Sequence, residues 1–307
     1  MMPKTPKKIS PYSTPLDGQQ QQNRSWTQKI RNAFSRLPGP NALPFLQRKS
    51  SPMDNVPMLS IGITTFVHRF EDYFIPLISK IREFDQETEI VVAINGEHQQ
   101  PFDEAFRGKI LHFLADHPRV FPIVFPEFRG VSKLWNSIIT HASHEFILML
   151  GDDIMITDPD FLATTKQHII QNQGKSFTIN KSFAHFVLSR KEIDQLGYFD
   201  ERLLGIGEED GDITWRYHQE FRQEFANFKI KSFKNFSDHS VRTYKPTNIQ
   251  CHSGTKYSLF NRNLMERKYQ PDPQGFCGMF EQPVRLIDPG PEQYPNERFY
   301  RKNRDKL

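Results

Sequence analysis

The chain has 307 residues, 37% hydrophobic and 25% charged, with a formal net charge of +4 and two cysteines. It is long enough for one large domain with extensions. No apolar run approaches the roughly 20 residues that cross a bilayer. Cys251 and Cys277 form neither a disulfide framework nor a metal-binding spacing, which suits a reducing compartment.

Residues 1–57 are rich in Pro, Gln and Ser and include the tract Gln19 to Gln22, which predicts a largely disordered leader. Met1 to Ser10 is basic but no apolar core follows it, so it does not read as a secretory signal. The leader carries nine Lys/Arg against Asp17 and Asp54, a net of +7, so the remainder sums to −3 against the total of +4. Within it Trp26, Ile30, Ala33, Phe34 and Leu37 share one helical face, with Arg24, Lys29, Arg31 and Arg36 mostly off it. That pattern suits the interface of an anionic membrane. It equally suits a surface helix packed on the protein's own core, and both readings stay open. The expected location is cytoplasmic, with peripheral contact at the inner face of the membrane through residues 24–37. Nucleic acid is not an expected partner, because the rest of the chain is mildly acidic and has no basic-aromatic motif.

Strand-like and helix-like runs alternate from residue 58 to 155. Leu59 to Phe66 reads as a first strand and the turn after it, and Phe74, Ile75, Leu77, Ile78 and Ile81 mark a helix. Glu89 to Gly96 reads as a second strand, and Val131, Leu134, Trp135, Ile138, Ile139 and Ala142 as another helix. This alternation predicts βαβ units and an α/β fold with a mostly parallel central sheet flanked by helices.

The most informative stretch is Phe146 to Ile154, an apolar run that ends in Asp152 and Asp153. The run predicts a buried central strand. In open α/β sheets ligands bind just outside the carboxyl ends of strands. Two carboxylates there suit a hard divalent cation that also holds phosphate oxygens, or else form an acidic, solvated turn. About fifty residues on, Gly205 and Gly207 precede Glu208, Glu209, Asp210 and Asp212. Ile213, Tyr217, Phe221 and Phe225 then follow at i, i+4 spacing, as on one face of a helix. Acidic residues in a first helical turn are favoured by the macrodipole. Four of them directly after a glycine-spaced loop also make Asp210 a candidate general base at the mouth of a helix.

Taken together, these stretches resemble the GT-A glycosyltransferases, particularly the family-2-like nucleotide-sugar transferases, over roughly residues 58–265. Leu59 to Phe66 is similar to the first strand and nucleotide-receiving turn, and Glu89 to Gly96 to the second strand. Gly130 to Asn136 is similar to the helix before the metal-binding strand. Leu150-Gly151-Asp152-Asp153 stands in the place of the DXD motif. Gly197 to Glu201 followed by Glu209-Asp210 and Trp215-Arg216 looks like the acceptor-side region. Two positions depart from the pattern: Ile94 replaces an Asp that holds the base, and Gly151 replaces the first acidic residue of DXD.

The resemblance implies a GT-A catalytic domain over 58–268, with a nucleotide-binding half (58–155) and an acceptor half (156–268), followed by a C-terminal extension (269–307). It implies Mn2+ or Mg2+ held by Asp153, with Asp152 as second ligand or sugar contact and His252 as a further ligand, His239 standing in reserve. Thr64, Thr65, Phe66, Asn95 and Asn136 would serve the nucleotide side, and Lys256 the phosphates. Asp210 would be the base of an inverting displacement, with Glu209 orienting the acceptor or Arg216. The implied substrates are a nucleotide-sugar donor and a glycan or lipid-linked acceptor. A nucleotidyltransferase or phosphohydrolase, and a non-catalytic glycan-binding or scaffold protein, are the rival classes.

Overall fold

The computed structural model describes residues 56–97, 101–235, 254–278 and 280–290. The amphipathic face of the leader, His239, His252 and the Lys256 side chain lie outside the described residues. In chain order the elements are β1 (Leu59–Thr65), α1 (Ile75–Phe84), β2 (Ile90–Ile94), α2 (Glu104–Ala115), β3 (Val120–Val124), α3 (Val131–His141) and β4 (Phe146–Gly151). There follow β5 (Ile154–Ile156), α4 (Phe161–Gln171), β6 (Phe177–Ile179), β7 (Ser182–Ser189), α5 (Arg190–Leu196), α6 (Glu209–Phe221) and β8 (Ala226–Phe228). The last are β9 (Phe233–Asn235), α7 (Gly254–Lys268), β10 (Tyr269–Phe276) and β11 (Val284–Leu286).

The central sheet has seven strands in the order β3–β2–β1–β4–β7–β6–β8. β1, β2, β3 and β4 are parallel, β7 is antiparallel to β4 and β6, and β8 joins β6 in parallel at the edge. The expected α/β architecture, a mostly parallel sheet between helices, is therefore present. Its central strands read as unbroken apolar runs because both faces are covered. Alternate side chains sort to opposite faces. Ile61, Ile63, Val92, Ile94, Leu148 and Leu150 pack against Leu77, Ile78 and Ile81 of α1 and Phe106, Ile110 and Leu114 of α2. Val91, Ala93, Ile147 and Met149 face Leu134, Trp135, Ile138 and Ile139 of α3. Each Val, Leu, Ile, Phe or Met side chain among them contributes about 1.5–3 kcal/mol by leaving water. Gly62 lets α3 approach β1 closely, since a Cβ there would lie 2.4 Å from Ile138 Cγ2.

The predicted helical stripe from Ile213 is partly corrected. α6 ends at Phe221 because Arg222 turns left-handed at φ 55°, and Phe225 reaches the stripe from outside the helix. It stacks on Tyr217 with ring centroids 4.1 Å apart. A third apolar cluster joins Leu203 and Trp215 to Leu264 and Met265 of α7, Tyr269 of β10 and Val284 of β11.

The chain runs outward from β1 through β2 to β3 and then returns to place β4 on the other side of β1. The winding direction thus reverses between β1 and β4, where Thr64 pairs with Gly151. In open α/β sheets the crevice at such a reversal, outside the carboxyl ends of the strands, is where ligands bind.

Candidate functional site

The residues just after β1 and β4 meet in that crevice. Thr64 and Thr65 at the end of β1, Phe66 just after it, Asn95 after β2, and Asp152 after β4 line one cleft of about 70 Å3, together with Arg69, Phe128, Arg129 and the Gly205–Ile206 loop. The cleft shares Phe128, Arg129 and Gly205 with a basin of about 760 Å3 that reaches Lys133, Glu201 and Tyr257. Four of the sequence-derived nucleotide-side positions, together with Asp152, are therefore neighbours in space.

Asp152 and Asp153 are bridged by one guanidinium. Arg69 Nη1 lies 2.9 Å from Asp152 Oδ1, and Nη2 lies 2.5 Å from Asp153 Oδ2. Burial pushes the Asp152 carboxyl up to about 7; Arg69 opposes the rise and the Asp153 charge adds to it. The second oxygen, Asp152 Oδ2, is buried and makes no hydrogen bond among the described residues. Thr65 Oγ1 is buried and equally unbonded in ordinary geometry, although it lies near enough to favour the charged carboxylate weakly. A buried carboxylate oxygen left open beside a second carboxylate fits a hard divalent cation, which takes oxygen ligands readily. Among the described residues no third His, Cys, Asp or Glu completes a metal cluster. Gly151 has a local reason: a Cβ there would stand 2.8 Å from Asp153 Oδ1 and crowd the carboxylate.

Asn95 and Asn136 prove to be ties within the frame. Asn95 Nδ2 donates to the Arg129 carbonyl and its Oδ1 accepts from the Arg129 N–H, both at 2.9 Å. Its amide therefore pins the 125–130 segment while its body lines the cleft. Asn136 does not line the cleft. It is fully buried on α3, donates to Phe199 O (2.9 Å) and Glu201 Oε1 (3.1 Å), and accepts from Phe199 N (3.0 Å). Its amide is spent joining α3 to the acceptor-side loop.

The loop entering α6 is shaped by glycine. Gly205 and Gly207 have φ of 62° and 130°, and a Cβ on Gly205 would strike the Tyr257 ring. Gly205 O accepts from Val131 N at 2.8 Å, so this loop closes the first turn of α3. Asp210 is exposed in the first turn of α6 and accepts from Gly211 N at 2.9 Å. Glu209 is buried and accepts from Gly207 N at 2.5 Å. Burial, aided by the neighbouring Asp210 and Glu208 charges, raises its carboxyl to about 7.

Of the two roles expected of Glu209, orienting the acceptor or orienting Arg216, the second falls to Asp212, which forms an ion pair of 2.9 Å with Arg216. Arg216 also donates to Leu196 O (2.7 Å) and Tyr198 O (2.6 Å). Asp212 lies one helical turn before Arg216, a spacing that could have announced the pair. The buried Lys268 donates to Asp212 Oδ1 (2.7 Å) and Asp200 Oδ2 (2.8 Å), and Tyr269 OH donates to Asp212 Oδ1 (2.5 Å). The reading from sequence also missed Arg69. Nothing in its spacing marks it, because its partners lie more than eighty residues away.

No protein-family model matches the chain, and no curated protein matches it. Among solved structures it is similar to S. aureus TarS, at 15% identity and a TM-score of 0.45 over 57% of this chain and 36% of that one. It is similar also to the mannosyltransferase PcManGT from Pyrobaculum calidifontis in complex with GDP-Man and Mn2+, at 12% identity and a TM-score of 0.44 over 67% and 61%. The chain thus spans less than two thirds of the length of either. Likeness at this level identifies neither a family nor an activity.

Proposed function

We propose that this chain is a glycosyltransferase that moves a sugar from a nucleotide-diphosphate donor to a hydroxyl of a glycan or lipid-linked acceptor. One observation carries the reading. Two adjacent carboxylates, Asp152 and Asp153, stand at the carboxyl end of β4 beside β1, where the winding reverses, and one of their oxygens is buried with no hydrogen-bond partner among the described residues. The family resemblance of the motifs around them supports the same conclusion.

In this reading Asp153 and Asp152 hold Mn2+ or Mg2+, which would stabilise charge developing on the departing nucleoside diphosphate. Thr64, Thr65 and Phe66 form the wall that receives the nucleoside, and Asn95 keeps the 125–130 segment in place beside it. Asp210, exposed at the mouth of α6, takes the proton from the acceptor hydroxyl in a direct, inverting displacement. Glu209 holds the Gly207 N–H and so fixes the loop that carries Asp210. Lys256 and His252 remain proposed contacts to phosphate and cation. The leader's amphipathic face remains a proposed contact with anionic membrane.

The test is a thermal-shift screen of nucleotide sugars with Mn2+ or with EDTA, on wild type and Asp153→Asn. A donor at 100 times its dissociation constant stabilises the native state by about 2.7 kcal/mol. That shift is expected in the wild type with Mn2+ and lost in Asp153→Asn. Equal donor binding with Mn2+ and with EDTA would overturn the metal-assisted reading. A second reading, a non-catalytic glycan- or nucleotide-binding protein, is favoured by Arg69, which already bridges both carboxylates. Sugar-nucleotide turnover by the wild type excludes it.

A further inference from the structure

We propose that Arg69 and a divalent cation exclude one another at the Asp152/Asp153 pair, so that loading the cation requires the guanidinium to leave both carboxylates. This inference rests on the metal-assisted reading above. Arg69 spans the two carboxylates with separate nitrogens, Nη1 on Asp152 Oδ1 and Nη2 on Asp153 Oδ2. It therefore occupies one oxygen of each carboxylate, while Asp152 Oδ2 is buried and makes no hydrogen bond among the described residues. A hard cation takes carboxylate oxygens at about 2.0–2.6 Å. A guanidinium bonded to the same two groups would sit close to it, and like charges repel strongly where little water screens them.

The local structure gives the guanidinium a way out. Arg69 ends a single 3-10 turn (Val67–Arg69), and a π turn (Phe70–Phe74) follows before α1 begins. Two successive irregular turns hold a backbone less tightly than an α-helix and often mark functional positions. The Arg69 side chain is 25% exposed, against 2% for Asp152, so the cation-like partner faces solvent and the carboxylate does not. The Arg69 Cζ also lies 5.2 Å from the Tyr73 ring centroid and 5.9 Å from that of Phe66. Aromatic faces of this kind attract a guanidinium without any carboxylate. The Asp212–Arg216 pair shows what a permanent tie looks like: Arg216 is 8% exposed and also bound to two backbone carbonyls, and every Asp212 oxygen is engaged.

The experiment measures Mn2+ binding by electron paramagnetic resonance and calorimetry, without nucleotide, on the full chain as wild type, Arg69→Gln, Arg69→Lys and Asp153→Asn. Mutual exclusion predicts that Arg69→Gln binds Mn2+ about ten- to a hundredfold more tightly than wild type, the usual scale of such coupling. Arg69→Lys should fall between them, because a single ammonium cannot bridge both carboxylates. If Arg69→Gln folds only when Mn2+ is added, as read by circular dichroism, that is the same result in another form. If it does not fold at all, Arg69→Lys decides: tighter Mn2+ binding than wild type supports the proposal, and equal or weaker binding overturns it. Equal or weaker binding by a folded Arg69→Gln also overturns it. The metal-assisted reading then survives, provided Asp153→Asn abolishes the wild-type binding. No Mn2+ binding by any of the four proteins would remove that reading and this inference together.

Discussion

Two groups of buried carboxylates in this molecule have opposite character. Around Lys268, Asp200 and Asp212 are saturated: two cations, an arginine fork and a tyrosine hydroxyl converge on them. Burial would raise both carboxyls, but the Arg202 and Lys268 bonds override it at Asp200, and the Arg216 and Lys268 charges at Asp212, so both sit below their ordinary range. At Asp152 in the cleft and at Glu209 in the first turn of α6, burial prevails. Both carboxyls are pushed up to about 7, and Asp152 Oδ2 makes no hydrogen bond among the described residues. A saturated cluster holds a fold together. A cluster left short of partners is costly to the fold, which is how sites prepared for a ligand or a proton commonly look.

The contrast can be broken most sharply at Asp210, where stability and activity should part. Asp210→Asn keeps shape and removes the basic oxygen, so kcat should fall by about 10²–10⁴-fold with donor affinity and melting temperature nearly unchanged. A variant near wild-type rate, or a product that retains anomeric configuration, would end the inverting assignment. Lys268→Ala tests the other cluster. Leaving two buried carboxylates without their shared cation should cost about 3–5 kcal/mol in urea unfolding at neutral pH. A loss below about 1 kcal/mol would show that Arg202 and Arg216 suffice.

The acid–base sign separates the two regions further. Glu209 sits at about 7 when folded against an ordinary 4.5, so between those values the native state keeps a proton that the unfolded chain gives up. Its contribution is full below 4.5 and is lost as pH rises through 7, worth about 3 kcal/mol. Asp152 acts with the same sign over nearly the same window. Asp200 and Asp212 act oppositely: their contribution is present above about 4 and is lost in stronger acid. Glu209→Gln should therefore flatten much of the decline between pH 5 and 8 and leave acid unfolding as it was. An unchanged slope would mean that the Glu209 carboxyl is not protonated in the native state.

The smallest expected effect concerns Asn136. Removing its amide leaves the Phe199 backbone groups unpaired, and Asn136→Ala should cost about 1–3 kcal/mol. Donor affinity should not change, since the side chain bonds the acceptor-side frame. A loss of donor binding without loss of stability would return Asn136 to the nucleotide side.

Much of the architecture was legible before any coordinates. The runs at Leu59, Ile90 and Phe146 fall on β1, β2 and β4, and the stripes at Leu77 and Leu134 fall on α1 and α3. Where the stripe misled, at Phe225, a side chain folded back onto a helix it does not belong to. The cleft was legible only in part. Asp152 was found because an apolar run stops at it, and Thr64, Thr65, Phe66 and Asn95 through the family resemblance of their motifs.

The sequence by itself determined the strands, the helices and the acidic pair, because those depend on period and on the abrupt change from apolar to charged within a few residues. Only the tertiary structure decided which charges meet. Arg69 reaches Asp152 and Asp153 across more than eighty residues because β1 and β4 are neighbours in the sheet. Lys268 reaches Asp200 and Asp212 because α7 packs beside α6 through Leu264, Met265 and Trp215. The energy of such a pair depends on distance and burial, and neither is written in the spacing of residues along a chain.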